Sequence, residues 1–259
     1  PENVGDSKDA VDTWVTGVYS NWLYDMFCWS EFPRVLELDA DYISGPDWLF
    51  GHLGAGDFQG ESSLEKMWKG PYNLINDANM AIRYINTMSS VDEDYKNNAL
   101  GEMYFQKAFA YFLLVRAYGA VPYFDTDVAN GNTYYEPRRP VSEIYGHITD
   151  LLTKASSMMY HRDNSNYKSG HVCAGSAAGL LAKVYCTMAS AAMPEGTKIV
   201  VKTGAPYEMV NGKQHYRLPS AETLEKDTVA GYTQMNSQEL YTKAAEWAKK
   251  VIDGNYGPY

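Results

Sequence analysis

Cysteine is scarce in this 259-residue chain. It has three, Cys28, Cys173 and Cys186, an odd number with no CxxC pair, which excludes a disulfide framework and a paired-thiol motif. Cys173 and Cys186 sit in an apolar helical stretch and read as small core residues. Histidine is equally sparse. His52, His147, His161, His171 and His215 show no HxxH or HExxH spacing, which argues against a zinc centre. Positive charge is short too: 22 Lys and Arg stand against 32 Asp and Glu, a net −10. Nucleic acid and anionic membrane surfaces need clustered cations, so neither is expected as a partner. A long apolar run is also missing. The longest, residues 175–193, is mostly small residues and carries Lys183 near its centre. A central Lys costs about 3 kcal/mol in a membrane span, so this run is not one. No signal peptide is visible, and the chain begins at Pro1, which reads as a processed or trimmed start.

What is abundant is aromatic side chain: 22 Tyr, 8 Phe and 6 Trp. With 45% hydrophobic and 21% charged residues, the composition is that of a folded protein. A chain this long buries about three quarters of its extended surface, enough for one large or two small domains. Tyr in such excess points to half-buried rings with a wet hydroxyl, as found at interfaces and ligand surfaces.

The middle and end of the sequence have helical periodicity. Ser62 and Glu65 form a capping box for a helix over 64–88, with Met67, Leu74, Ala78, Ile82 and Ile85 on one face. Pro71 inside it predicts a kink or a later start. Ser90 and Glu93 form a second box, opening a helix over 92–118 that is apolar nearly all round from Ala108 onward and should lie deep. Gly119 and Pro122 end it. A third helix begins at Ser142, with Ile144, Ile148, Leu151, Leu152 and Ala155 at helical spacing; a fourth covers 173–192. Asn236 and Glu239 open a fifth that ends at Asp253-Gly254. Between the last two, Ile199–Lys202 is strand-like, and Asn211-Gly212 is a strong hairpin turn signal within Tyr207–Leu218.

These helices read as antiparallel pairs, 64–88 with 92–118 and 142–160 with 173–192. Ala108 and Phe112 have the A-x₃-F spacing of helix-pair repeats. The fifth helix lacks a partner of its own. Either it packs back onto the earlier pairs or the chain is part of a longer protein, and the second is expected. The fold class is therefore mainly α, a superhelix of helix pairs with irregular loops and a small β-hairpin. An aromatic and Gly-rich irregular segment covers 1–60, helix pairs 61–193, a hairpin and loop insertion 194–236, and the start of a next pair 237–259.

Chemical motifs were weighed against plainer readings. Asp125, Asp127 and Glu136 occupy positions one, three and twelve of a calcium loop, but position five is Ala129 and the glycine, Gly131, falls one place late, so an Asx-rich turn is the better reading and no cofactor is expected. Gly54, Gly56 and Gly60 miss the dinucleotide-binding spacing by one residue. Ser165–Lys168 is an SxxK and Lys202-Thr203-Gly204 a KTG, yet Ser165 lies in an Asn-rich loop rather than opening a buried helix, which disfavours serine acyl transfer. Asp39 and Asp41, with Asp47 nearby, could flank a sugar as a glycosidase pair, but solvated loop acids or caps are the better reading. The best binding candidate is the aromatic–glycine segment. Flat rings stack on the apolar face of a sugar while Asp, Asn or Gln bond its hydroxyl rim. Trp48, Tyr42, Phe50 and Phe58, with Asp47 and Gln59, have that chemistry, and Gly45-Pro46-Asp47 places Trp48 after an exposed turn.

Four stretches taken together resemble the SusD/RagB family of Bacteroidetes surface nutrient-binding lipoproteins. They are Glu102–Pro122 (EMYFQKAFAYFLLVRAYGAVP), Arg139–Ala155 (RPVSEIYGHITDLLTKA), Gly170–Tyr185 (GHVCAGSAAGLLAKVY) and Tyr241–Tyr256 (YTKAAEWAKKVIDGNY), with weaker support from Trp68–Ile85. Lys107 and His171 stand where the family usually has Arg. The resemblance implies TPR-like helix pairs and a non-catalytic protein at the cell outer membrane. Its role would be to capture an oligosaccharide or polysaccharide, less often a peptide, and deliver it to a SusC-like TonB-dependent transporter. It also implies that this chain is the N-terminal half of a longer lipoprotein, held at the membrane through a lipid anchor absent here. Binding sites in the family are built from variable loop aromatics, so the candidate residues above rest on local chemistry alone. A helical scaffold that binds only protein is the reading from another class.

Overall fold

The computed structural model describes residues 5–22, 62–131, 135–203, 207–216 and 220–257. All six candidate ligand residues, Tyr42, Asp47, Trp48, Phe50, Phe58 and Gln59, lie outside the described residues, as do Asp39 and Asp41. Among the described residues six helices carry the fold: α1 (Lys8–Asn21), α2 (Ser62–Thr87), α3 (Glu93–Tyr118), α4 (Val141–Met158), α5 (Ala174–Ala191) and α6 (Ser237–Ile252). From α2 to α6 each helix packs on the next, and α1 lies against α2 and α3. The mainly α, helix-pair reading is therefore correct.

The deep helix is α3, buried along Ala99–Val115, with Tyr111, Phe112, Met103 and Leu114 fully enclosed. Its apolar residues face α2 on one side and α4 on the other, which is why no single stripe dominates its sequence. Gly101 permits the closest approach. A Cβ there would stand 2.7 Å from Met159 Cγ, just past the end of α4.

Helix α1 falls within the stretch read from sequence as irregular. The Ser7 hydroxyl caps it by accepting from Ala10 N at 3.2 Å, and Val11, Val15 and Val18 form its buried stripe at helical spacing. Three β-branched residues disguise that stripe, because their intrinsic preference is for strands. Helix α2 begins before Pro71 and runs through it. Met67, Leu74 and Ile75 are buried on either side of the proline, so packing holds the helix across the missing N–H. The expected box at Ser90 is not formed. Helix α3 is capped at Asp92 without a side-chain bond, and the Ser89 and Ser90 amides instead donate to the Asp6 carboxylate, each at 2.9 Å. Those amide bonds hold the Asp6 carboxyl down at about 2.

Cys173 caps α5, its amide donating to the Ser176 hydroxyl at 3.1 Å. Cys186 is exposed on α5 and Cys173 is half-buried, so neither is the small core residue its setting predicts; both lie on the rim of a helix whose buried stripe is Ala177, Leu181, Val184 and Met188. Asn236 caps α6 as expected, accepting from Glu239 N at 3.2 Å. That helix packs back onto α5 through Leu240 and Ala244, and Ser237 donates to Ala189 O at 2.8 Å.

Three antiparallel strand pairs complete the described fold. Strand β1 (Val121–Pro122) pairs with β2 (Arg138–Arg139) beside α2 and α3. Between α5 and α6, β3 (Lys198–Thr203) pairs with β6 (Ser220–Glu225), and β4 (Tyr207–Val210) with β5 (Lys213–Tyr216). Asn211 and Gly212 have φ of 53° and 75°, the left-handed pair that a two-residue hairpin turn requires. The outer strand β6 has no apolar alternation and is exposed throughout, so nothing in its sequence marked it as a strand.

Candidate functional site

The N-terminal half of α2 presents Trp68 and Tyr72 one turn apart, with Asn73 and Asn76 on the adjacent stripe. Opposite them the chain leaving α3 passes through β1 and brings up Pro122, Phe124 and Val128. Together these residues enclose a groove of about 450 Å³, completed by Lys69 and Ile75. That volume lies within the usual range for small-ligand sites, and the lining has the usual make-up of apolar surface with a few polar groups.

The rings form a cradle rather than a flat stack. Trp68 and Tyr72 have centroids 5.1 Å apart at 54°, and Tyr72 meets Phe124 edge-on at 5.7 Å and 81°. Tyr118 braces the other edge of Trp68 at 5.0 Å and 86°. The Tyr72 hydroxyl donates to Pro122 O at 2.9 Å, tying the two walls together, and burial pushes its pKa up. It is therefore a fixed neutral group. Asn76 also spans the walls, its Oδ1 accepting from Val128 N at 2.9 Å.

The far wall is held by buried polar bonds. Asn79, 4% exposed, donates through Nδ2 to Phe124 O at 3.2 Å and to Thr126 O at 3.0 Å, and its Oδ1 accepts from Lys107 Nζ at 2.8 Å. Lys107 is as deeply buried, and desolvation lowers its pKa to about 8. Phe124 N donates to the Tyr111 hydroxyl at 2.8 Å. Arg83 grips Asp127 with two bonds, Nε–Oδ2 at 2.8 Å and Nη2–Oδ1 at 3.2 Å. Bonding to Arg83 in turn holds the Asp127 carboxyl below the usual range. Asn79, Tyr111 and the Arg83–Asp127 pair thus tie the loop that carries Phe124 to α2 and α3.

A second buried cluster lies on the other side of α3. The Glu102 carboxylate, 3% exposed, accepts from the Tyr19 hydroxyl at 2.8 Å and from Asn98 Nδ2 at 2.8 Å, and meets His171 Nδ1 at 2.8 Å. The bond to Glu102 raises the His171 pKa. Tyr19 also accepts from Val172 N at 2.9 Å, so the cluster pins the segment before α5 to α1 and α3. It encloses no ligand-sized space.

The weighed motifs resolve differently. Asp127 spends both carboxylate oxygens on Arg83 and on Ala129 N at 3.1 Å, as an Asx turn does. Among the described residues no group of three or more His, Cys, Asp or Glu side chains is placed to hold a metal ion. Ser165 sits in an exposed turn, and Lys168 is paired with Asp12 and Tyr95 on α1 and α3 rather than with Ser165. Trp68, Tyr72 and Phe124 were not singled out from sequence. Their one signal was the Trp–Tyr pair at i and i+4 beside the buried stripe of α2; the opposite wall comes from a loop and is visible only in three dimensions.

Residues 6–186 match the family model SusD-like_3, described as "Starch-binding associating with outer membrane". SusD-like protein P2 of Formosa agariphila is 30% identical over 133 residues, which are 51% of this chain and 25% of that protein. The fold is similar to a SusD homolog from Bacteroides thetaiotaomicron VPI-5482, with a TM-score of 0.71 at 17% identity over 99% of this chain and 42% of that one. A structure solved with xylogluco-oligosaccharide gives a TM-score of 0.65 at 17% identity over 94% of this chain and 40% of that one. The chain thus spans a quarter of the length of the first relative and about two fifths of the two solved structures.

Proposed function

The chain belongs to the SusD-like family, and on that premise we propose that it captures a glycan at the outer membrane without transforming it and passes it to a TonB-dependent transporter. The observation that carries the binding step is the groove between α2 and the Pro122–Val128 loop. Three rings offer apolar faces for sugar C–H surfaces, and the asparagines of the lining add polar surface for the hydroxyl rim. Hydroxyl-rich ligands gain little from a purely apolar pocket, and charged catalytic pairs are not needed to hold them. The groove matches that need. Its described lining contains no nucleophile beside a base, and its one hydroxyl is bonded to Pro122 O.

The aromatic segment holding Tyr42, Asp47, Trp48, Phe50, Phe58 and Gln59 precedes α2 in the chain and is proposed to add further stacking surface. Delivery to the transporter, and surface display as a lipoprotein, rest on the family resemblance. The glycan bound by one distant neighbour of like fold supports the ligand class but not its identity.

Isothermal titration against a panel of plant and algal oligosaccharides, with a peptide mixture as the competing class, tests the reading. At least one glycan should bind, and Trp68→Ala and Phe124→Ala should each weaken it about tenfold, ~1.4 kcal/mol. Binding of peptides alone, or turnover of a glycan by the pure protein, would overturn it.

A further inference from the structure

The groove has a one-sided electrostatic character in a chain whose net charge is −10. Among the described residues lining it, Lys69 is the one charged side chain, and no Asp or Glu is among them. A second cation flanks the same tryptophan: the Arg138 guanidinium carbon lies 5.7 Å from the Trp68 ring centre, held there by a bond from Nη1 to Ala120 O at 3.1 Å. Two polar groups of the lining are already engaged. Asn76 Oδ1 takes the Val128 amide, and the Tyr72 hydroxyl is turned to donate to Pro122 O. Asn76 Nδ2 is left with a weak 3.4 Å contact to Asp77 Oδ1. The Tyr72 oxygen keeps its acceptor lone pairs, so the preference for an anion comes from the cations at Lys69 and Arg138 and from the lack of a carboxylate in the described lining.

Neutral sugar hydroxyls carry no charge to meet those cations. A carboxylate or a sulfate ester accepts only. Lys69 pairs with Glu65 one turn earlier, but the two side chains are 66% and 63% exposed. Such surface pairs contribute little and exchange readily for a better-placed anion.

We propose that this groove recognises an acidic glycan, with an anionic substituent of the sugar, a carboxylate or a sulfate ester, seated against the Lys69 ammonium while the ring packs on Trp68 and Phe124. The assignment rests on the glycan-binding reading above and names its ligand class.

The test compares three xylo-oligosaccharides of equal length: one neutral, one bearing a glucuronate, one bearing a sulfate ester. At about 20 mM salt at least one charged arm should bind about tenfold more tightly than the neutral arm, and about 0.5 M salt should erase most of that advantage. Which charged arm wins identifies the substituent. In Lys69→Gln the three affinities should converge. In Glu65→Gln, which frees the ammonium, the charged arm should gain about twofold or more. Equal binding of all three arms, lost in Trp68→Ala, overturns the charge assignment and leaves glycan binding standing. A charge preference that survives Lys69→Gln also overturns it. No binding by any arm, nor by the wider panel, overturns both.

Discussion

The loop that walls the groove and the β-ribbon between α5 and α6 are both excursions from the helical body, yet they are held in opposite ways. Loop 121–128 is anchored from below by Asn79, Lys107, Tyr111 and Asp127, the first two 4% exposed and the last two 1% or less. In the ribbon, Val200 is 72% exposed, Met209 60% and Leu224 46%, and the visible order is strand pairing alone. Rigidity in this molecule therefore does not follow from regular secondary structure. A loop anchored by buried hydrogen bonds should present Phe124 more firmly than a ribbon that leaves Val200, Met209 and Leu224 to solvent.

The largest effect should come from breaking the loop anchor. Asn79→Ala removes three hydrogen bonds and leaves a buried ammonium without its acceptor, a loss of about 3 kcal/mol or more in urea unfolding. Lys107 gives the same anchor a pH signature. Its folded pKa, about 8, is below the ordinary value of 10.5, so between those values the unfolded chain binds more protons and stability rises with pH. Wild type measured against Lys107→Met should therefore gain from pH 8 upward. A difference that stays level with pH would mean that the ammonium is not desolvated as the geometry indicates.

A smaller effect is expected at the Glu102 cluster. The His171 pKa is raised by its bond to Glu102, so its contribution is fully present below 6.5 and is lost as pH rises through the elevated value. Wild type should exceed His171→Gln by about 1 kcal/mol in mild acid, a figure already reduced for the ring's partial exposure, and by less in mild alkali. His171→Arg, which stays charged at both pH values, should keep its contribution at both ends. The smallest effect belongs to the ribbon. Val200→Ser should change global stability by less than about 0.5 kcal/mol, and amide exchange in β3 should remain faster than in residues 123–128. Slow exchange in both would erase the contrast.

Much of the architecture was legible because amphipathic spacing and local caps are written in adjacent residues. The Asn236 cap, the buried stripe of α4 at Ile144, Ile148 and Leu152, and the Asn211-Gly212 turn all depend on neighbours within a few positions. Long-range matches were not legible. Asp6, just before α1, took the Ser89 and Ser90 amides so that no box formed at Ser90, and β6 took its place by pairing with β3 despite a polar sequence. The groove failed to show for the same reason: Trp68 and Tyr72 gain meaning only when Phe124 and Val128 arrive opposite them, and nothing local announces that Asn79 and Lys107 will put them there.

Perturbation mapping tests the central claim most directly. Amide and indole resonances would be followed by NMR while a bound glycan is titrated in. The Trp68 indole N–H and the amides of residues 68–70, 72–76 and 123–128 should move together and saturate with one dissociation constant. Shifts confined to the ribbon or to the surroundings of Glu102, with the Trp68 signal unmoved, would contradict the account.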